Sequence, residues 1–190
     1  MPGKVNIRRA SFEFISIVVA VVLAMALTEW RQDYLNRKLA QQSLDNIVEE
    51  VQKNREELLN DSTNIAADLK FMSQWMEDFR NENILGDFKV NFSYSFLSKS
   101  ALEVAKINNS LTYLDNQVNM QIAELYATQD FYSENGARLF DIMGRLGSIK
   151  TKEDQQEFYD TVRELRFNMV LVMNTVKAYL KDSQDFLENQ

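Results

Sequence analysis

The stretch FEFISIVVAVVLAMALTEW, residues 12–30, decides how the rest of the chain is read. As a helix rising about 1.5 Å per residue it reaches ~28 Å, close to the hydrocarbon thickness of a bilayer. Lys4, Arg8 and Arg9 stand in front of it, and Trp30 and Arg31 close it as interfacial anchors. The pattern predicts an amino-terminal transmembrane helix behind a short basic tail, residues 1–11. A competing reading is a cleaved signal peptide, because Ala24-Met25-Ala26 meets the small-x-small rule. The retained anchor is preferred. The apolar run passes straight into RQDYLNRKLAQQSLDNIVEEVQ, with no Pro, Gly or small polar break. Arg31, Arg37 and Lys38 follow the span closely, so the basic residues nearly balance across it. The charge on the short tail favours a cytoplasmic amino terminus and an extracytoplasmic domain.

Glu13, Ser16, Ala20, Ala24 and Thr28 recur at steps of three and four and so share one face of the span. A small or polar face lets two membrane helices approach closely, although alanine is also common there by chance. Glu13 is unusual inside an apolar run. An i,i+4 pair with Arg9 and snorkelling toward the interface explain it, and a polar contact between helices is the alternative.

Beyond the span a heptad runs through Leu44, Val48, Val51, Arg55, Leu58, Ser62, Ile65, Leu69, Met72, Met76 and Phe79. It predicts one long helix over 31–80, reaching ~75 Å past the bilayer and loosened if anywhere near Ser62. The connector, 81–97, changes period. Phe88, Val90, Phe92, Tyr94 and Phe96 alternate with Lys89, Asn91, Ser93 and Ser95, which predicts an extended strand with one apolar face. That face either covers the bundle's own core or docks a partner by strand pairing. Ser100 and Glu103 suggest a capping box opening the helices of 98–147, with a break at Asn108-Asn109-Ser110 and a close at Gly144 and Gly147. Thr151 and Asp154 start the last helix, 151–189, whose stretch 167–173 is apolar nearly all round. The expected fold is all-α: the membrane helix continues into an antiparallel three- to four-helix bundle, residues 31–190, with one short extended segment. Strand and short helix are expected at the tip, followed by one helix inward and one outward.

Five glycines and one proline among 190 residues are too few turn formers for a β-sandwich or an α/β fold. His and Cys are absent, which removes thiol chemistry, histidine acid–base catalysis and the usual zinc ligands. The acidic pairs Glu49-Glu50 and Glu56-Glu57 point about 100° apart on a helix and read as solvated faces. A net charge of −7 does not suit nucleic acid. No catalytic, cofactor or metal residues are expected.

Glu13, the β-branched run, Ala20, Ala24 and Trp30-Arg31 form one recognisable pattern. Ser100-Ala-Leu-Glu-Val-Ala-Lys, Leu111-Thr-Tyr-Leu-Asp115 and Leu125-Tyr126 form a second. Together they resemble a family of uncharacterised bacterial membrane proteins with one amino-terminal span and a helical exposed region. In that family a tryptophan commonly stands before the glutamate, where this chain has Leu102. The resemblance implies architecture and a bacterial inner-membrane setting, not an activity. The expectation is a non-enzymatic structural or accessory subunit of a membrane complex, in contact with lipid and with further copies or other membrane subunits. The alternative is an extracytoplasmic ligand-sensing bundle that signals through a partner.

Overall fold

The computed structural model describes residues 7–82, 87–149 and 154–189. The fold is all-α. The first helix, α1 (Ile7–Glu82), runs 76 residues without a break. The polar stretch Asn60-Asp61-Ser62-Thr63-Asn64 stays helical, and the hydroxyls of Ser62 and Thr63 bond back to the Leu59 carbonyl. After α1 an irregular strap, residues 87–99, leads to α2 (Ser100–Ile107). A 3-10 turn (Ser110–Tyr113), α3 (Asn116–Ser148) and α4 (Gln155–Glu188) follow. Asn109, in the left-handed region at φ 56°, makes the corner after α2. Asp115 caps α3, its carboxylate accepting from the Gln117 N–H at 2.7 Å.

The order along the bundle differs from the expected one. The strap itself travels from the tip back toward the base, antiparallel to α1, and α2 with the 3-10 turn lies near the base. The inward helix is therefore α4, and α3 runs outward. α4 packs along both α1 and α3, while α1 and α3 face each other across the strap. Leu44, Val51, Leu58, Ile65, Met72 and Phe79 line the buried centre of α1, joined by Ile122, Leu125, Leu139, Leu165, Val172 and Val176.

The second stripe of the α1 heptad also differs. Ile47, Asn54, Asp61, Asp68 and Trp75 are buried, one residue before the expected Val48, Arg55, Ser62, Leu69 and Met76. Of the latter set only Met76 is buried. α1 is covered on two flanks, and Arg55 turns toward Gln184 of α4 on the other one. Gly144 lies within α3 rather than ending it. Ser100 does not form a capping box, because Glu103 pairs with Lys106 and the first turn of α2 is held from α1 instead. Asp154 stands at the start of α4 without a side-chain cap, and Thr151 lies outside the described residues.

Candidate functional site: the bare span and the strap

Phe12 to Thr28 project from the bundle with every side chain exposed. Glu13, Ser16, Ala20, Ala24 and Thr28 all fall within this bare segment, on the one face that their spacing dictates. The Thr28 hydroxyl donates to the Ala24 carbonyl at 2.8 Å, which satisfies it within the helix. Trp30 is 72 % exposed and Arg31 is exposed beside it. The helix is long and apolar enough to cross a membrane near the amino terminus, and none of its apolar window is buried.

The strap is extended without being a strand, and no β-bridge occurs among the described residues. Its backbone bonds go instead to side chains, most of them polar ones of α1, with Gln129 of α3 donating to the Ser98 carbonyl at 2.8 Å. Asp68 accepts from the Asn91 N–H at 3.0 Å. Asp61 accepts from the Ser95 N–H at 2.6 Å and from the Ser93 hydroxyl at 2.5 Å. Asn54 accepts from the Ser98 N–H at 3.0 Å and donates to the Ser98 carbonyl at 2.7 Å. Glu50 accepts from the Ala101 N–H at 3.0 Å. Asn54, Asp61 and Asp68 are seven residues apart, so they stand in one column about 10.5 Å per step. The strap advances three or four residues per step, near 3.3 Å each, and keeps pace with that column.

Aromatic side chains fasten the other edge. Phe88 meets Trp75 and Phe158 edge to face, at centroid distances of 5.2 and 5.7 Å. Tyr94 stacks on Tyr132 of α3 at 4.7 Å with planes 2° apart. Its ring lies over Gly136, where an added Cβ would meet it at 2.1 Å. Phe92 meets Phe140 at 5.4 Å. Phe88, Val90, Phe92 and Tyr94 thus cover the core, but Phe96 does not. It is 81 % exposed and lies against Phe140 on the surface.

Glu50 corrects the reading of the Glu49-Glu50 pair as solvated, whereas Glu56 and Glu57 are both exposed as expected. It is buried and accepts from the Tyr126 hydroxyl at 2.6 Å and from the Ser98 hydroxyl at 2.6 Å. Its neighbour Glu49 is exposed and pairs with Lys53. Burial pushes the Tyr126 hydroxyl well above the usual tyrosine range, and the bond to Glu50 adds to it, so Tyr126 stays a donor. Burial also raises Tyr132, whose hydroxyl lies 3.3 Å from the Ser95 carbonyl. Among the described residues no group of three acids stands close enough to hold a metal ion. No family model, curated protein or solved structure matches the chain.

Proposed function

We propose that this chain is a membrane-anchored, non-enzymatic structural or accessory subunit of a membrane protein complex, retained by residues 12–30. The observation that carries the reading is the continuity of α1. One unbroken helix of 76 residues carries a bare apolar segment at one end and the spine of a self-packed bundle at the other. Water does not tolerate such a segment, since each fully exposed large apolar side chain forgoes roughly 1.5–3 kcal/mol of burial. Lipid satisfies it. A helix without a hinge then holds the bundle at a set height above the membrane, which suits a spacer or an assembly subunit. The setting proposed is a bacterial inner membrane, with the amino terminus cytoplasmic and the bundle outside. The basic tail and the resemblance to bacterial single-span proteins support it.

Association is proposed to run through Glu13, Ser16, Ala20, Ala24 and Thr28, where small side chains permit close backbone approach. Native mass measurement of the detergent-extracted protein tests this. Assemblies heavier than the 22.2 kDa chain are expected. Ala20→Leu and Ala24→Leu should shift them toward the single chain. A single chain at every concentration, or assemblies that ignore both substitutions, would contradict the proposal.

A further inference from the structure

At the base of the bundle the 3-10 turn overhangs α1 and makes a groove of about 650 Å³ between Tyr113 and the helix. The lower wall is mostly apolar, with Val21, Ala24 and Met25 beside Thr28. The upper wall carries Glu29 and Asp33, one turn apart. Tyr113 roofs it, and a chain of hydrogen bonds sets its polarity. Gln32 donates to Asn36 at 3.1 Å, and Asn36 donates to the Tyr113 hydroxyl at 2.7 Å. The hydroxyl oxygen is thus an acceptor, and its own proton is left to donate elsewhere. Tyr113 is 45 % exposed, so an incoming group can reach that proton.

On the anchor reading above, on which this inference rests, Trp30 marks the edge of the hydrocarbon. The lower wall then lies in the acyl region, Glu29 stands at its edge, and Asp33, Asn36 and Tyr113 lie among the headgroups. The groove changes from apolar to polar in the same direction as a phospholipid. We propose that it seats one phosphatidylethanolamine molecule of the adjacent leaflet. The acyl chain lies along Ala24 and Met25, the phosphate accepts from the Tyr113 hydroxyl, and the ethanolamine arm folds back along α1 so that its ammonium meets Asp33 and, one turn below, Glu29. An anionic headgroup would meet those two carboxylates with like charge. The assignment is independent of which side of the membrane the bundle occupies.

Native mass spectrometry of the full chain, released from mixed vesicles of phosphatidylethanolamine and phosphatidylglycerol, tests it. One retained phosphatidylethanolamine is expected, preferred about fivefold over phosphatidylglycerol, the size of one exposed ion pair. The surface double variant Glu29→Gln with Asp33→Asn should lose the preference while keeping the fold. Tyr113→Phe should lower retention of both lipids. Equal retention of the two lipids, or a preference that survives the double variant, would overturn the site and leave the anchor standing. Release of the wild-type chain from membranes by alkaline carbonate would overturn the anchor, and the site with it.

Discussion

The lower and upper parts of α1 are one helix with opposite surfaces. From Phe12 to Thr28 it is apolar and bare. From Ala40 to Phe79 it is amphipathic, and it buries Glu50, Asn54, Asp61 and Asp68 among its apolar side chains. Hydrophobicity alone would assign coverage the other way round. The lower part is bare because its solvent is proposed to be lipid. The upper part buries polar groups because a segment without a strand partner lies beside it. Each of these four side chains accepts from a backbone N–H of the strap or of the first turn of α2 that no β-ladder serves.

The sharpest way to break the comparison is to empty the column. Asp61→Ala removes the partners of the Ser95 N–H and the Ser93 hydroxyl, and leaves Tyr132 facing a void. Charge-assisted bonds lost together with an orphaned donor should cost about 3 kcal/mol in urea unfolding. A loss below about 0.5 kcal/mol would mean that water replaces the carboxylate and that the strap is only loosely held. Gly136→Ala comes next. Its Cβ collides with the Tyr94 ring, so the ring must leave its stack on Tyr132. A loss of about 2 kcal/mol is expected, the ordinary penalty of overpacking, with altered near-ultraviolet dichroism from the tyrosines. An unchanged melting temperature would show that the ring is not seated there.

Asp68 sharpens the comparison with the opposite sign. Burial pushes its carboxyl above the usual carboxylate range, although the Asn91 N–H draws it back. The native state therefore binds that proton more tightly than the unfolded chain does. The stability this group contributes is complete below the ordinary pKa of ~3.9 and drains away as pH rises through the raised value. Asp68→Asn keeps an oxygen for Asn91 and removes a buried charge whose Oδ2 has no partner. It should raise stability by about 0.5–1 kcal/mol at neutral pH and flatten that part of the pH profile. A clear loss at neutral pH would show that the charge itself binds the strap.

The smallest effect expected is at the strap's end. Phe96→Ser should change stability by less than about 0.5 kcal/mol, because its ring is largely in solvent already. Phe92→Ser should cost about 1–2 kcal/mol for its half-buried ring. Equal effects would mean that Phe96 is covered in solution.

Apolar periodicity made the helices legible. Leu44, Val51, Leu58, Ile65, Met72 and Phe79 repeat every seven residues, and all are buried. Alternation from Phe88 to Tyr94 likewise marked an extended segment with one covered face. Its partner was not legible, because Asn54, Asp61 and Asp68 have the composition of a solvated face. The signal was their spacing: they complete the three–four repeat Val51, Asn54, Leu58, Asp61, Ile65, Asp68, Met72. The apolar Val48, Leu69 and Met76 drew the second stripe one position too late, although that stripe also carried the polar Arg55 and Ser62. Topology was hidden as well. A helix was expected to carry the chain back inward, yet an extended strap does so, held by polar side chains of α1 on one edge and by aromatic packing on the other. The base groove was less legible still, since Tyr113 and Asn36 lie 77 positions apart and nothing local links them.

The contrast between the two parts of α1 rests on the lower part staying with the molecule. Alkaline-carbonate extraction of membranes, followed by intact-mass measurement of the protein recovered, tests that most directly. The chain is expected to stay in the pellet with residues 12–30 still attached. A soluble chain whose amino terminus is Leu27 would contradict it.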